Sequence, residues 1–249
     1  MTLINARPSD IRSKSDRGAL GNSQINIIET LVQQQYQGGS SLSVAISTRS
    51  LSRGQHLYRP GDLPTCVYSI NRGMFKTYRI GDDGRERITG FPSSGTLLGL
   101  DTLMDRPMRC GAVALDTTLV CRIPVHAIVI GSGESRQLRL QLLEQFDNEI
   151  ARLEIQLSLY CLNASQRLAS FILSVAGKSA EVNLPMSHKE IGNYLRLVPE
   201  TVSRLFAKFQ RSGWLTMRGH GVSIRDRLAL QQTAAEKIPD SNPKSMSAA

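Results

Sequence analysis

The sequence predicts an α+β protein in which a β-roll (jelly roll) comes first, a long helix second and a winged helix-turn-helix last. Between residues 42 and 130, short runs of Val, Ile, Leu, Tyr and Thr are separated by turns rich in Gly and Pro, which is typical of antiparallel strands. Residues 134–176 contain no Gly or Pro, which favours long helices. The last third of the chain predicts two short helices followed by a β-hairpin.

Composition divides the 249 residues into five parts. Residues 1–22 and 238–249 show little apolar periodicity, and we expect both ends to be disordered. Between them we expect a β-roll domain at 23–132 that opens with a short helix at 25–37, a dimerisation helix at 133–162 and a winged helix-turn-helix at 163–237.

Positive charge is concentrated in the last third of the chain. The whole sequence carries +9, and residues 163–249 alone hold twelve Lys and Arg against six Asp and Glu. A compact basic region is expected where the partner is a polyanion, so the charge favours a nucleic-acid partner.

The sequence carries no signal for a membrane or a metal. No stretch approaches the roughly 18 apolar residues of a membrane span, and residues 1–9 lack the apolar core of a signal peptide. We therefore expect a cytoplasmic protein with no membrane partner. The four cysteines stand at wide spacings without a CxxC pair, which predicts reduced thiols rather than disulfides or a zinc site. They are Cys66, Cys110, Cys121 and Cys161.

The long helix carries an apolar stripe whose members are alternately three and four residues apart. This spacing places them on one side of the helix, where a second copy of the chain can bury them in a coiled-coil seam. The alternative is a helix that packs the same stripe on its own β-roll. Charged residues flank the stripe, so we favour a homodimer. The predicted seam consists of Leu143, Phe146, Ile150, Leu153, Leu157 and Tyr160.

Two short helices joined by a tight turn are predicted in the basic region. Ser187 and Glu190 form a capping-box pattern at the start of the first helix, and Pro199 suits the first turn of the second. Residues 214–217 and 222–224 then predict a two-stranded wing. Together these elements indicate a winged helix-turn-helix.

The second of these helices carries three polar side chains on one face. Glu200, Ser203 and Arg204 stand at i, i+3 and i+4, opposite the apolar Val202 and Leu205. In a major groove, arginine can donate two hydrogen bonds to guanine, glutamate can accept one from cytosine, and serine can contact a neighbouring base. The alternative is an exposed Glu200–Arg204 ion pair worth about 0.3–0.5 kcal/mol, which gives no reason for the basic residues around it.

Other polar residues of the basic region are candidates for contacts with the phosphates of double-stranded DNA. Such contacts hold the register without reading the sequence. The candidates are Lys189, Arg196, Thr201, Lys208, Arg211 and Arg218. His220, at the tip of the predicted hairpin, is either a further backbone contact or an ordinary turn residue.

Four stretches of the chain resemble the CRP/FNR family of bacterial transcription regulators, and the FNR branch most closely. They are residues 57–62 (LYRPGD), 87–91 (RITGF), 190–195 (EIGNYL) and 200–205 (ETVSRL). The resemblance implies a cyclic-nucleotide-binding-like β-roll, a homodimer and an FNR-type palindrome, TTGAT-N4-ATCAA or a close variant. It also implies contact with RNA polymerase, for which the turn with Asp82, Asp83 and Arg85 is our candidate.

The residues that receive signals in this family are only partly present. Members that bind cyclic nucleotides have Gly-Glu-Leu and Arg-Ser-Ala motifs, whereas this chain has Leu100 in place of the glutamate and keeps Arg109. A ribose hydroxyl would lose its partner, so we do not expect cyclic AMP. Oxygen-sensing FNR proteins hold an iron–sulfur cluster on four cysteines. Cys121 matches the cysteine of the β-domain, but no cysteine precedes Cys66 to supply the other three.

We therefore expect a regulator without a cofactor, controlled by its own abundance. The apolar Leu153 in the middle of the seam supports this, because the dimer can form without first neutralising a charge. Gated alternatives stay open: haem at His56 or His126, a nucleotide, and thiol oxidation at Cys110 or Cys161.

Two other functional classes fit the sequence less well. A cupin-like β-barrel enzyme needs clustered His and carboxylate ligands, and no HxH pair occurs among the four histidines, so we expect no catalytic residues and no metal. A non-specific DNA-packaging protein is disfavoured by Glu200, because an acid facing DNA weakens attraction to the backbone and is useful only as a base reader.

Overall fold

The computed structural model describes residues 47–134 and 136–235. The helix expected at 25–37 and the two ends expected to be disordered lie outside these ranges. Contacts within the chain form two compact units that meet between Arg152 and Leu153. The boundary falls inside the long helix, and each unit is considered by itself below.

Residues 47–124 form eight strands in two antiparallel sheets of four. One sheet has the order β1-β8-β3-β6 and the other β2-β7-β4-β5, which is the predicted β-roll. The strands are β1 (Ser47–Leu51), β2 (His56–Tyr58), β3 (Cys66–Arg72), β4 (Phe75–Ile80), β5 (Glu86–Gly90), β6 (Leu97–Leu98), β7 (Gly111–Ala114) and β8 (Thr118–Pro124).

Strand β3 explains why this part of the sequence has apolar runs instead of strict alternation. Its first five residues are all buried. Tyr68 and Ile70 lie in the core between the sheets, whereas Val67 belongs to a second apolar cluster with Ile123 and Ile128. Because both faces of the strand are covered, both sets of side chains are apolar.

The second apolar cluster is covered by helix α1 (Val125–Glu134), which corrects the sequence-based expectation of strands to residue 130 and a break at Gly131 and Gly133. Ala127 and Ile128 are buried on the sheet, and the Val125 amide donates to the Thr65 carbonyl at 3.0 Å. Packing of this kind outweighs the roughly 1 kcal/mol that each glycine costs inside a helix.

The long helix α2 (Arg136–Ser158) is shorter than the 133–162 expected from the sequence. A short 3-10 turn, Leu159–Cys161, follows it and contains Tyr160. No helix in the described parts of the chain has both the length and the apolar character required to cross a bilayer.

The second unit contains the predicted winged helix-turn-helix and two elements that the sequence did not reveal. Strand β9 makes the wing sheet three-stranded, in the order β10-β11-β9, rather than two-stranded, and helix α6 closes the unit. The elements are α3 (Ala164–Ala176), β9 (Glu181–Asn183), α4 (His188–Leu195), α5 (Pro199–Arg211), β10 (Leu215–Arg218), β11 (Gly221–Ile224) and α6 (Arg227–Ala235).

Helices α4 and α5 begin where their capping and proline residues predict. Ser187 accepts from the Glu190 amide while the Glu190 carboxylate accepts from the Ser187 amide, so two amides without helical partners are satisfied. Pro199 is the first residue of α5. Phe206 is buried on that helix, whereas Leu205, predicted to face inward, is only partly buried.

Candidate nucleic-acid interface

Helix α5 presents a polar face to solvent. Glu200, Ser203 and Arg204 are all exposed, and Val202 and Phe206 are buried on the opposite side. The helix is therefore held to its unit by one side, and the three predicted base-reading residues lie together on the other.

The ion pair that was the alternative role for Glu200 is not formed. Among the described residues, Glu200 makes no salt bridge or hydrogen bond to Arg204, whose Nη2 donates instead to the Thr201 hydroxyl at 3.2 Å. The Glu200 carboxylate and most of the donors on Arg204 thus face solvent, where they are available to base edges.

The turn between α4 and α5 is built by a close backbone approach. Gly192 is buried in α4, and its carbonyl accepts from the Leu197 amide at 2.8 Å. A Cβ on Gly192 would lie 2.5 Å from the Leu197 carbonyl oxygen. Arg196, with φ of 55°, takes the left-handed conformation, which costs a non-glycine residue about 1–2 kcal/mol. A strained arginine at this position is consistent with a functional role.

We predict that Gly192→Ala destabilises the DNA-binding unit by about 1–3 kcal/mol, because the backbone of the turn must move to admit the methyl group. The chain has one tryptophan, Trp214, which packs on Phe209 with ring centroids 5.1 Å apart. Urea unfolding followed by its fluorescence therefore reports this unit. Asn193→Ala, at the next and exposed position of α4, is the control, and equal stability of the two variants would contradict the prediction.

The predicted phosphate contacts are distributed around this face. Lys189, Arg196, Lys208, Arg211 and Arg218 are exposed and Thr201 is half-buried. Within the described ranges, no acidic side chain forms a salt bridge with Lys189, Lys208, Arg211 or Arg218, whereas Arg196 makes contacts within the unit. The Arg211 Nε donates to the Ala207 carbonyl at 3.4 Å.

His220 is exposed but tied to the unit. Its Nδ1 lies 3.0 Å from the Leu184 carbonyl oxygen, and its own carbonyl accepts from the Leu184 amide at 2.8 Å. His220 thus connects the turn between β10 and β11 to the residue that follows β9, as expected of an ordinary turn residue.

The candidate polymerase contact is an exposed turn between β4 and β5. Asp83 accepts from the Arg85 amide at 3.1 Å and from the Arg87 guanidinium at 3.2 Å. The hydrogen bond from the Arg85 amide is the main reason why the pKa of Asp83 lies below its usual value. Asp83 thus shapes the turn, while the side chains of Asp82 and Arg85 project into solvent.

The arginine that resembles the phosphate-binding residue of cyclic-nucleotide sites is already engaged. Arg109 donates from Nε to Oδ1 of Asp101 at 2.8 Å and from its backbone amide to Oδ2 at 3.2 Å. Its Nη2 forms an ion pair with the same Oδ1 at 2.8 Å. Leu100, where the ribose-binding glutamate would be, packs against the apolar cluster that contains Val67 and Ile123. The residues present do not fit a cyclic nucleotide.

The cysteines do not fit an iron–sulfur cluster. Cys66 and Cys110 belong to the core between the sheets, Cys121 lies in the other apolar cluster, and Cys161 is in the second unit. Burial raises the pKa of both the Cys110 and Cys121 thiols. In the described parts of the chain, no three His, Cys, Asp or Glu side chains come together.

We predict one rapidly reacting thiol per chain, because the thiolate is the reactive species and Cys161 is the exposed cysteine. With an Ellman-type reagent at about pH 7.5, Cys161→Ser should remove the fast phase and Cys110→Ser should leave it unchanged. Rapid labelling of Cys110 would contradict the prediction and restore thiol sensing in the β-roll as an alternative.

The apolar stripe of α2 faces solvent in the single chain. Leu143 and Leu157 are more than 60% exposed, at 62% and 64%, and Phe146, Ile150 and Leu153 are also exposed. Leu140 is also exposed, at 54%, but it precedes Leu143 by three residues where the alternation requires four, so it lies beside the stripe and not on it. Tyr160 falls in the 3-10 turn beyond the helix.

The orientation of α2 is fixed by its other side. Gln141 and Gln145 are buried, and Arg152 donates to the Thr89 carbonyl at 3.1 Å while it pairs with Glu149. Leu142 of the same helix packs on the apolar cluster that contains Val67 and Ile123. The side of α2 that carries the stripe therefore faces solvent although the helix already has an inward side of its own.

Two family models match the chain. A cyclic nucleotide-binding domain matches residues 48–129, and a Crp-like helix-turn-helix domain matches residues 166–233. These matches coincide with the β-roll and with the winged helix-turn-helix.

Named relatives and a solved structure are similar over most of the chain. The anaerobic regulatory protein of Pasteurella multocida is 38% identical over 190 residues, 73% of this chain and 70% of that protein. The fumarate and nitrate reduction regulatory protein of Escherichia coli K12 is 37% identical over 194 residues, 75% of this chain and 78% of that protein. The structure of FixK2 from Bradyrhizobium japonicum has a TM-score of 0.71 at 26% identity and covers 78% of this chain and 99% of that one.

Proposed function

Because this chain belongs to the CRP/FNR family of DNA-binding transcription regulators, we propose that it binds an FNR-type palindrome, TTGAT-N4-ATCAA or a close variant, as a homodimer. It acts in the cytoplasm, contacts RNA polymerase, and needs neither cyclic AMP nor an iron–sulfur cluster. The cupin-like enzyme considered from the sequence is excluded by the family, whose members regulate transcription.

The exposed face of α5 is the observation that carries this proposal. The resemblance of residues 200–205 to the FNR branch implies that Glu200, Ser203 and Arg204 read bases, and the three lie unpaired with one another on the solvent side of the helix. A glutamate on a DNA-facing surface repels phosphates, so its presence there favours a role in reading bases.

The homodimer is supported by the stripe on α2. Its leucines, Phe146 and Ile150 are exposed in one chain, while Gln141 and Gln145 on the opposite side of the helix are buried. A second copy that packs its own stripe there would cover both. It would also supply the second recognition helix that a palindrome requires.

Independence from cyclic AMP is supported by the Asp101–Arg109 pair. An incoming phosphate would have to displace a carboxylate that already accepts two hydrogen bonds from Arg109 and forms an ion pair with its Nη2. Leu100 packs against the apolar cluster, so that position has no carboxylate to bind a ribose hydroxyl. Binding a cyclic nucleotide would therefore not compensate for the loss of the Asp101–Arg109 pair.

Polymerase contact is proposed for the β4–β5 turn. Asp82 and Arg85 are exposed there, and the hydrogen bonds to Asp83 hold the turn in one shape. Such a turn presents charges of both signs in a fixed geometry, which suits recognition of another protein.

The test is fluorescence anisotropy of purified, air-exposed protein with a TTGAT-N4-ATCAA duplex and a scrambled duplex, at about 0.15 M salt because affinity depends steeply on salt. We expect tight binding to the first duplex alone, unchanged by cyclic AMP. Discrimination that appears only with cyclic AMP, or only anaerobically with reductant, would replace the ligand-free proposal by a gated one. Equal weak binding under every condition would overturn the base-reading code.

A further inference from the structure

Arg167, on the first turn of α3, connects two carbonyl groups that are far apart in sequence. Its Nε donates to the Leu162 carbonyl at 2.8 Å and its Nη1 donates to the Leu195 carbonyl at 3.2 Å. The side chain is partly buried, so solvent competes weakly for these hydrogen bonds.

The two carbonyls lie at positions that matter for DNA reading. Leu195 is the last residue of α4, where helix carbonyls lack helical partners and a cation is favourable. It immediately precedes Arg196, the left-handed residue of the turn. Leu162 follows the 3-10 turn at the end of the long helix and precedes Asn163, the cap of α3.

We propose that Arg167 is a positioning residue for the recognition helix: it fixes the turn between α4 and α5 relative to the segment that follows the long helix. The proposal rests on the base-reading function proposed above for α5. The planar guanidinium holds its donors in a fixed geometry, so it sets the separation of the two carbonyls. A flexible lysine presents a single point donor and cannot do this equally well.

Arg167 adds a restraint from outside to a turn that contains one residue in a costly conformation. Gly192 and Leu197 hold it through a close backbone approach, whereas Arg196 is in a conformation that costs energy. The hydrogen bond from Arg167 to Leu195 acts at the residue between these two features. Loss of that bond is expected to let the turn relax and α5 rotate, so that Arg204 and Glu200 no longer meet their bases together.

Arg227 provides a matched control in the same unit. Its Nη1 donates to the Gly177 carbonyl at 2.8 Å and its Nη2 donates to the Ser179 carbonyl. It therefore joins two backbone carbonyls as Arg167 does, but both belong to the connection between α3 and β9, outside the helix-turn-helix. Arg227→Gln removes the same charge and the same kind of contact.

The experiment compares Arg167→Gln, Arg167→Lys and Arg227→Gln in the full chain by anisotropy with matched and scrambled duplexes. We expect Arg167→Gln to raise the dissociation constant for the matched duplex roughly tenfold relative to Arg227→Gln, with the lysine variant between them. Binding to the scrambled duplex should be the same for the two glutamine variants, because both lose one positive charge. A parallel loss on both duplexes, or equal losses for the two glutamine variants, would overturn the proposal.

Hydrogen exchange of the free protein gives a readout that does not depend on the DNA sequence. Amides of residues 192–198 should exchange faster in Arg167→Gln than in Arg227→Gln, while the Trp214 fluorescence shows that both variants are folded. If no variant or wild type discriminates the duplexes, the base-reading proposal fails and exchange alone decides the role of Arg167. Unchanged exchange at 192–198 would overturn that role.

Discussion

Arg204→Ala is expected to raise the dissociation constant for the TTGAT-N4-ATCAA duplex on the order of a hundredfold. A bidentate contact between arginine and guanine contributes about 1–3 kcal/mol, and a palindrome uses it twice. The exposed guanidinium has Thr201 as its hydrogen-bond partner in the free protein, so its removal should leave the fold of the unit intact. Anisotropy at fixed salt measures the change, and the scrambled duplex should lose far less affinity.

The control is Lys208→Ala, one turn further along the same helix and equally exposed. As a phosphate contact, Lys208 should weaken binding to both duplexes alike and reduce the slope of affinity against salt by about one. In contrast, Arg204→Ala should abolish the preference for guanine at the third base of each half-site. If the two variants behave alike, Arg204 contributes charge and not base reading, and the proposed code is wrong.

The parts of the fold that could be predicted are those encoded by local sequence. The capping pattern of Ser187 and Glu190 marks one helix start because the amides that it satisfies are within three residues. Pro199 marks the next because its fixed φ suits the first turn, where a missing N–H costs no hydrogen bond. The stripe from Leu143 to Leu157 repeats along one helix, so its spacing alone shows which side is apolar. The family matches confirm the β-roll and the winged helix-turn-helix, whereas the base-reading roles stay predictions.

The parts that sequence reasoning missed depend on contacts between distant residues. Helix α1 runs through Gly131 and Gly133, and burial of Ile128 on the sheet offsets their low propensity. Strand β9 has three residues with one apolar side chain, too few for a period of two to be visible. The Asp101–Arg109 pair and the hydrogen bond from Arg167 to Leu195 likewise join residues that only the fold brings together, so no local sequence pattern predicts them.

Ile150→Glu is expected to convert the proposed homodimer into a monomer. Ile150 is 56% exposed in the single chain, so a glutamate there costs the fold of one copy little. In the proposed seam the two copies would instead bury unpaired carboxylates against leucines and against each other, which is unfavourable by several kcal/mol. Sedimentation at micromolar concentration should show a dimer for the wild type and a monomer for the variant. Affinity for the palindrome should fall by about a hundredfold or more, since each monomer then holds one half-site.

Asn148→Glu is the matched control, because it introduces the same carboxylate at an exposed position of α2 on the side away from the stripe. It should remain dimeric and bind the palindrome like the wild type. If Ile150→Glu also stays dimeric, the copies associate through another surface and the exposed stripe requires a different partner. If the variant is monomeric but keeps full affinity, the half-sites are bound independently, and the link between the seam and palindrome recognition is wrong. Joint loss of the dimer and of affinity is the result expected for a regulator that binds its palindrome as a homodimer through the stripe.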